Sequence, residues 1–83
     1  MFKFNHWKQL IEEGHEVEFT YGGKRYSVTY PDVDAHREPG IYFCEFYQPD
    51  VRFGTPEEFM AGAKIGGKLL KDIWKDATDI DIF

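Results

Sequence analysis

The sequence predicts a single α+β domain, residues 1-83, in which helices cover one face of an antiparallel sheet. Three observations predict this class. Two runs of alternating polar and apolar residues flank the pair Gly22-Gly23, as in a two-residue β-hairpin. An amphipathic helical pattern precedes the hairpin, and a longer helical region that begins with a strong capping sequence follows it. The length of 83 residues fits one small domain.

The predicted hairpin has a register that separates its two faces. With the two glycines as the loop, Phe19 faces Tyr26 and Val17 faces Val28. The residues between them, Glu18 included, form a polar face. A strand register is strongly specified where one face is buried, because a slip by one residue would reverse both faces. We therefore expect the apolar face to pack against the helices.

A short helix is predicted before the hairpin, from His6 to Glu13. Asn5 is a suitable N-terminal cap. Trp7, Leu10 and Ile11 follow the i, i+3, i+4 spacing of a single apolar stripe. This stripe is expected to face the sheet.

A third strand is predicted from Ile41 to Tyr47, completing a three-stranded antiparallel meander. Both of its faces are apolar or aromatic, which is typical of a strand that is covered on both sides. Cys44 and Phe46 are expected on the core face beside the hairpin residues. Phe43 and Tyr47 then lie on the opposite face, where they are either shielded by a helix or the tail or form an exposed patch.

A broken C-terminal helix follows. Thr55-Pro56-Glu57-Glu58 combines a cap, a proline at the first helical position and a capping-box glutamate. Gly66 and Gly67 interrupt the helix, and a second segment is predicted from about Lys68 to Asp76. The alternating residues 79–83 form either a short edge strand or a frayed tail. The helical residues expected to pack on the sheet are Trp7, Leu10, Phe59, Leu70, Ile73 and Trp74.

Composition restricts the class of function. The net charge of -5 argues against a surface that binds nucleic acid directly and permits docking on a basic protein surface. Cys44 is the single cysteine, so no internal disulfide forms. The chain has no run of signal-peptide or membrane-span length, and a cytoplasmic location is expected. No cofactor is expected.

Two segments are predicted as loops, from Asp32 to Gly40 and from Gln48 to Gly54. The first places Asp32, Asp34 and His36 at alternating positions, which offers oxygen and imidazole donors for a metal. A metal site would need a further ligand from elsewhere in the chain, and a solvated turn explains the same residues. Metal binding or catalysis at this loop is therefore only an alternative.

Two other motifs favour structural interpretations. The stretch from Gly62 to Leu69 has the glycine and lysine spacing of a phosphate-binding loop. Leu69, however, replaces the Ser or Thr that holds magnesium, and a helix precedes the motif instead of a strand. Cys44 lies in the middle of a strand between aromatic residues, where an inert thiol is expected and not a nucleophile.

The remaining functional signal is a set of carboxylates on the polar sheet face. Glu16 and Glu18 project from this face, and Glu45 joins them if the third strand pairs alongside. Spaced carboxylates on a rigid sheet can imitate a row of phosphates and occupy a basic groove. A solvated polar face is the competing interpretation.

Phe43 and Tyr47 offer a third interpretation, in which they form the surface of a homodimer or of another structural interaction.

The chain also resembles small uncharacterised proteins of Gram-positive bacteria and their phages or mobile elements. The resemblance rests on residues 16–28, on Phe43-Cys44-Glu45-Phe46 and on residues 64–74. It implies a bacterial cytoplasmic setting and a phage origin. By analogy with compact acidic anti-CRISPR and anti-defence inhibitors, we predict a non-enzymatic protein that blocks a basic nucleic-acid-binding site of a bacterial protein.

Overall fold

The computed structural model describes residues 2–30 and 38–83 and confirms the α+β class. Five antiparallel strands form one sheet. They are β1 (Val17–Tyr21), β2 (Lys24–Thr29), β3 (Ile41–Glu45), β4 (Val51–Phe53) and β7 (Thr78–Ile82), and their order in the sheet is β4-β3-β2-β1-β7. The helices are α1 (Trp7–Glu12), α2 (Pro56–Gly62) and α3 (Leu70–Ile73), and a small second hairpin consists of β5 (Lys64–Ile65) and β6 (Lys68–Leu69).

The central hairpin has the predicted register. Val17 pairs with Val28 and Phe19 with Tyr26. The loop glycines Gly22 and Gly23 have φ angles of 60° and 79°. Two successive positive φ angles give the turn a twist that matches the flanking strands, and glycine adopts them without a Cβ clash.

The N-terminal helix is shorter than predicted, and Asn5 does not cap it. A 3-10 turn at Phe4–His6 precedes α1, so Asn5 lies inside helical structure. Trp7 and Ile11 are buried as expected. The 3-10 turn allows the chain to bring Phe2 onto the C-terminal region, where its carbonyl accepts a hydrogen bond from Trp74 Nε1 at 2.8 Å.

The predicted core face of the third strand is wrong. Val28 pairs with Phe43, so Phe43 lies on the covered face and is 4% exposed. Cys44 pairs with Ser27 and lies on the outer, polar face of the sheet. Phe46 lies beyond the strand, which ends at Glu45 and not at Tyr47. Strand β3 is apolar on both faces, so its own sequence could not determine which face is covered.

The segment predicted as a loop from Gln48 to Gly54 contains β4. This short strand pairs with β3 and extends the meander to four strands. Helix α2 then begins as predicted, with the Thr55 hydroxyl accepting a hydrogen bond from Glu58 N at 3.1 Å. The Glu58 carboxylate accepts from Gly54 N at 2.9 Å, one residue before the cap.

The second glycine pair forms a hairpin and not a break between helices. Gly66 and Gly67 have φ angles of 58° and 80°, close to those of the first hairpin. They connect β5 to β6, so the helix predicted from Lys68 starts only at Leu70. A 3-10 turn at Trp74–Asp76 continues it.

Of the two alternatives for the C-terminal residues, the strand is correct. Strand β7 pairs with β1, placing Asp81 opposite Glu18 and Ile82 opposite Val17. Phe83 N donates a hydrogen bond to Glu16 O at 2.8 Å. The third strand of the predicted meander and this final strand therefore flank the central hairpin on opposite sides.

An aromatic core lies between the sheet and the helices. Trp7, Phe19 and Phe59 are fully buried, and Trp74 is almost so. The rings of Trp7 and Phe59 pack edge to face with centroids 5.0 Å apart. Large aromatic side chains remove much apolar area from water, which gives a chain of this length a substantial core. The predicted helical residues pack there, with Leu10 only partly buried.

Candidate functional site

The structure does not bring the predicted acidic residues together on one face. Glu18 projects from the outer face of the sheet, because it pairs with Ser27. Glu45 pairs with Tyr26, whose side chain lies on the covered face. The Glu45 carboxylate forms an ion pair with Lys24, with an N–O distance of 3.6 Å. The expectation that Glu45 extends the row of Glu18 is therefore wrong.

Arg25 occupies the centre of the acidic part of the outer face. Its guanidinium contacts the Asp81 carboxylate at 2.5 Å and the Glu18 carboxylate at 3.6 Å. It also donates to Thr20 Oγ1 at 3.1 Å and to the carbonyl of Asp79. Sequence reasoning missed this role, although the pairing of Phe19 with Tyr26 implies that Arg25 lies opposite Thr20. The cluster thus joins three strands, and Glu18 is a partner of Arg25 and not a free carboxylate.

Glu16 remains available to solvent. It is exposed immediately before β1 and forms no ion pair with any residue in the described ranges 2–30 and 38–83. Its backbone carbonyl, and not its carboxylate, accepts the hydrogen bond from Phe83 N. Among the three predicted acidic contacts, Glu16 is thus the one whose charge is unpaired by the described residues.

Phe43 and Tyr47 have opposite environments. Phe43 stacks on Phe19 with ring centroids 6.2 Å apart and contacts Phe59 edge to face at 5.8 Å. It is a core residue that is 4% exposed, which agrees with the shielded alternative and leaves little of its surface for a partner. Tyr47 is 99% exposed. The two residues therefore do not form a common patch.

Tyr47 is held in a tight turn between β3 and β4. Gln48 N donates to Glu45 O at 3.0 Å, and Phe46 N donates to Arg25 O at 2.9 Å. Tyr47 has a φ angle of 68°, in the left-handed region that is unfavourable for a residue with a Cβ. The turn thus presents a large aromatic side chain to solvent from a strained backbone position.

Further apolar surface adjoins this turn. Val51 in the edge strand β4 is 55% exposed. A groove of about 260 Å³ runs between the turn and the β5–β6 hairpin, with Pro49, Val51 and Ile65 among its lining residues. We name Phe46, Tyr47, Pro49 and Val51 together the turn surface. Sequence reasoning identified Tyr47 but missed Val51, because it placed that residue in a loop.

The other predicted sites have no supporting geometry in the described residues. Burial raises the pKa of the Cys44 thiol, and this effect together with that of Asp50 outweighs the opposing hydrogen bond with Ser27, so the nucleophilic thiolate is disfavoured. Cys44 Sγ lies 3.5 Å from Ser27 Oγ. Asp32, Asp34 and His36 lie outside the described residues. Within residues 2–30 and 38–83, no three His, Cys, Asp or Glu side chains are placed to hold a metal ion.

Comparisons with known proteins do not identify a relative. No family model, no curated protein and no solved structure matches this chain. The resemblance to proteins of Gram-positive bacteria and their phages therefore stays a prediction. None of the helices in the described residues is long and apolar enough to cross a membrane.

Proposed function

We propose that this chain is a non-enzymatic binding protein that contacts a partner protein through the turn surface. The observation that supports it most is the exposure of Tyr47. Its side chain is 99% exposed, and its backbone has a left-handed conformation. A non-glycine residue in this conformation costs about 1–2 kcal/mol. An exposed ring contributes little to folding in return. Tyrosine is among the residue types that dominate protein interfaces. Contact with a partner therefore accounts for the unfavourable backbone conformation of Tyr47.

The surroundings of Tyr47 fit the same function. Protein interfaces have an aromatic or apolar centre surrounded by polar groups. Val51 and Pro49 follow Tyr47 closely in the chain and provide apolar surface, and the groove that they line receives a side chain of the partner. Glu45 and Lys64 line the same groove and provide polar groups at its border. A second copy of this chain is one such partner, as the homodimer interpretation expects.

A second candidate follows from Glu16. In this version the acidic end of the outer sheet face occupies a basic, nucleic-acid-binding surface of a bacterial protein, as an anti-CRISPR-like inhibitor would. The unpaired Glu16 carboxylate favours it, together with the cluster in which Glu18 and Asp81 share the single guanidinium of Arg25. Glu45 is no longer among the proposed contacts. Binding through such charges should weaken as salt rises.

One affinity experiment tests both candidates. The purified protein is immobilised and exposed to lysate of the organism that encodes it, at low and at high salt. Retention of a specific partner should be lost with Tyr47→Ala if the turn surface binds. The matched control is Phe83→Ala, which removes another exposed ring at the opposite edge of the sheet. Equal retention by both variants would reject the turn surface.

The acidic candidate is tested in the same experiment by Glu16→Lys. The control is Asp72→Lys, which makes the same charge change at an exposed position of α3. Loss of the partner with Glu16→Lys alone, together with loss at high salt, supports the acidic surface. A partner retained by Glu16→Lys at both salt concentrations excludes it. Light scattering on the wild-type protein reports whether a second copy is the partner.

A further inference from the structure

A cavity lies on another part of the surface, between the N-terminal segment and the last helical turn. Its volume is about 340 Å³, within the range of pockets that hold small molecules. The lining consists of three aromatic and three basic residues. They are Phe2, Phe4, Trp74, Lys3, Lys71 and Lys75.

The aromatic wall of this cavity is fixed by packing. The rings of Phe2 and Trp74 lie with centroids 4.9 Å apart, and those of Phe4 and Trp74 with centroids 6.4 Å apart. The hydrogen bond from Trp74 Nε1 to Phe2 O holds the N-terminal segment against the helix. A wall that is fixed before binding loses little conformational freedom when a ligand enters.

The three lysines that line the cavity have no anionic partner among residues 2–30 and 38–83. Lys3, Lys71 and Lys75 form no ion pair with any described residue. This is notable in a chain with 15 acidic and 10 basic residues, where carboxylates outnumber the cations. By contrast, Lys8 and Lys24 each pair with a glutamate.

The position of these lysines also disfavours a structural role. Lys71 and Lys75 are four residues apart in consecutive helical turns, and like charges at this spacing repel each other. Among the residues that the structure describes, no acidic one lines the cavity. The arrangement thus concentrates positive potential over an apolar wall, where a ligand of the opposite charge would relieve the repulsion.

We propose that this cavity binds a small organic anion with an apolar body, such as an amphiphilic carboxylate or sulfonate. The apolar body packs on Phe2, Phe4 and Trp74, and the anionic group lies among the lysine ammonium groups. The aliphatic stems of the lysines extend the apolar wall while their charged ends reach the anion. This site is separate from the turn surface and does not depend on the proposed function.

The test measures binding of a fluorescent aromatic anion, anilinonaphthalene sulfonate, to the folded full-length chain. The comparison probe is phenylnaphthylamine, which has the same rings without the sulfonate. We expect the anion to bind more tightly than the neutral probe. We also expect dodecanoate to displace the anion and dodecanol to displace it less well. Equal binding of the two probes by the wild-type protein would overturn the proposal without any variant.

The double variant Lys71→Glu, Lys75→Glu should raise the Kd of the anionic probe at least about tenfold, since attraction becomes repulsion. Its matched control is Lys8→Glu, Lys68→Glu, which makes the same change in net charge at exposed positions of α1 and β6, outside this cavity. Circular dichroism confirms that both variants are folded. An equal loss in both would show a general charge effect and overturn the site. Displacement of the probe by oligothymidylate but not by dodecanoate would also overturn it, in favour of a nucleic-acid surface.

Discussion

Two tyrosine side chains show how burial and hydrogen bonding determine the effect of a hydroxyl group on the stability of the fold. The hydroxyl of Tyr30 is buried and has no hydrogen-bond partner in the described part of the chain. Burial, followed by the nearby Glu16 charge, raises the pKa of Tyr30 from 10.0 to about 12. By contrast, the Tyr42 hydroxyl donates to the carbonyl of Glu38 at 2.8 Å. The two tyrosines therefore respond differently to loss of the hydroxyl.

The first prediction concerns Tyr30→Phe. Removing a buried hydroxyl without a partner should raise the free energy of unfolding by about 1 kcal/mol at neutral pH. Urea denaturation measures it. Tyr42→Phe is the control and should lower the free energy of unfolding, since it removes the hydrogen bond from the Tyr42 hydroxyl to the Glu38 carbonyl. Destabilisation of the same size in both would show that Tyr30 has a partner after all.

The raised pKa of Tyr30 also predicts how the stability of the fold depends on pH. The unfolded chain releases the tyrosine proton near pH 10, whereas the folded chain keeps it until about pH 12. Ionisation of Tyr30 therefore favours the unfolded chain, so it leaves the free energy of unfolding unchanged below pH 10 and lowers it as the pH rises from 10 to 12. Denaturation of Tyr30→Phe across this range should show a shallower loss of stability than the wild-type protein. Parallel curves would contradict the raised pKa.

At the scale of elements, a side chain of β2 reinforces the pairing of β7 with β1. Arg25 reaches across β1 to the Asp81 carboxylate and the Asp79 carbonyl. Asp79 itself has a positive φ of 51°, and the pairing of β7 with β1 shifts register nearby. An irregular edge strand gains from such an anchor, because its backbone ladder is interrupted.

We predict that Arg25→Gln loosens β7 selectively. Hydrogen exchange should become faster at the amides of residues 78–82, and the free energy of unfolding should fall by about 1–2 kcal/mol. The control is Arg52→Gln, which changes an arginine of the opposite edge strand that bonds to the Pro39 carbonyl. That variant should leave β7 exchange unchanged. Faster exchange in β7 with both variants would show general destabilisation.

For the whole molecule, Phe59 connects more elements than the length of α2 suggests. Its ring contacts Trp7 of α1, Phe43 of β3 and Phe53 of β4. A domain of 83 residues has a total stability of only about 4–12 kcal/mol. The helical layer and two strands thus share one buried side chain on which much of this stability depends.

Phe59→Ala should therefore lower the free energy of unfolding by about 3–5 kcal/mol, because it removes a large buried ring and leaves a cavity. Thermal unfolding followed by circular dichroism measures the change. Phe83→Ala, at a residue 64% exposed, should change stability by less than about 0.5 kcal/mol. A small effect of Phe59→Ala would contradict the central position of this ring.

The amino-acid sequence by itself determined the features that depend on neighbouring residues. The Gly22-Gly23 turn and the alternation around it specified the central hairpin and its register. Thr55 and Pro56 specified the start of α2. These signals are local, because a turn and a cap require particular residues at fixed short spacings. The same logic applied to Gly66-Gly67 would have found the second hairpin, but its strands are only two residues long.

Only the tertiary structure decided the features that depend on distant pairing. Because β3 is apolar on both faces, its ladder with β2 decided that Phe43 is buried and that Glu45 lies away from Glu18. Two partners of Arg25, Asp79 and Asp81, come from β7, more than fifty residues along the chain. The lysine-lined cavity likewise combines residues 2–4 with residues 71–75. Alternation within a strand separates two faces, but the choice of the covered face and the assembly of a site require contacts that no local pattern encodes.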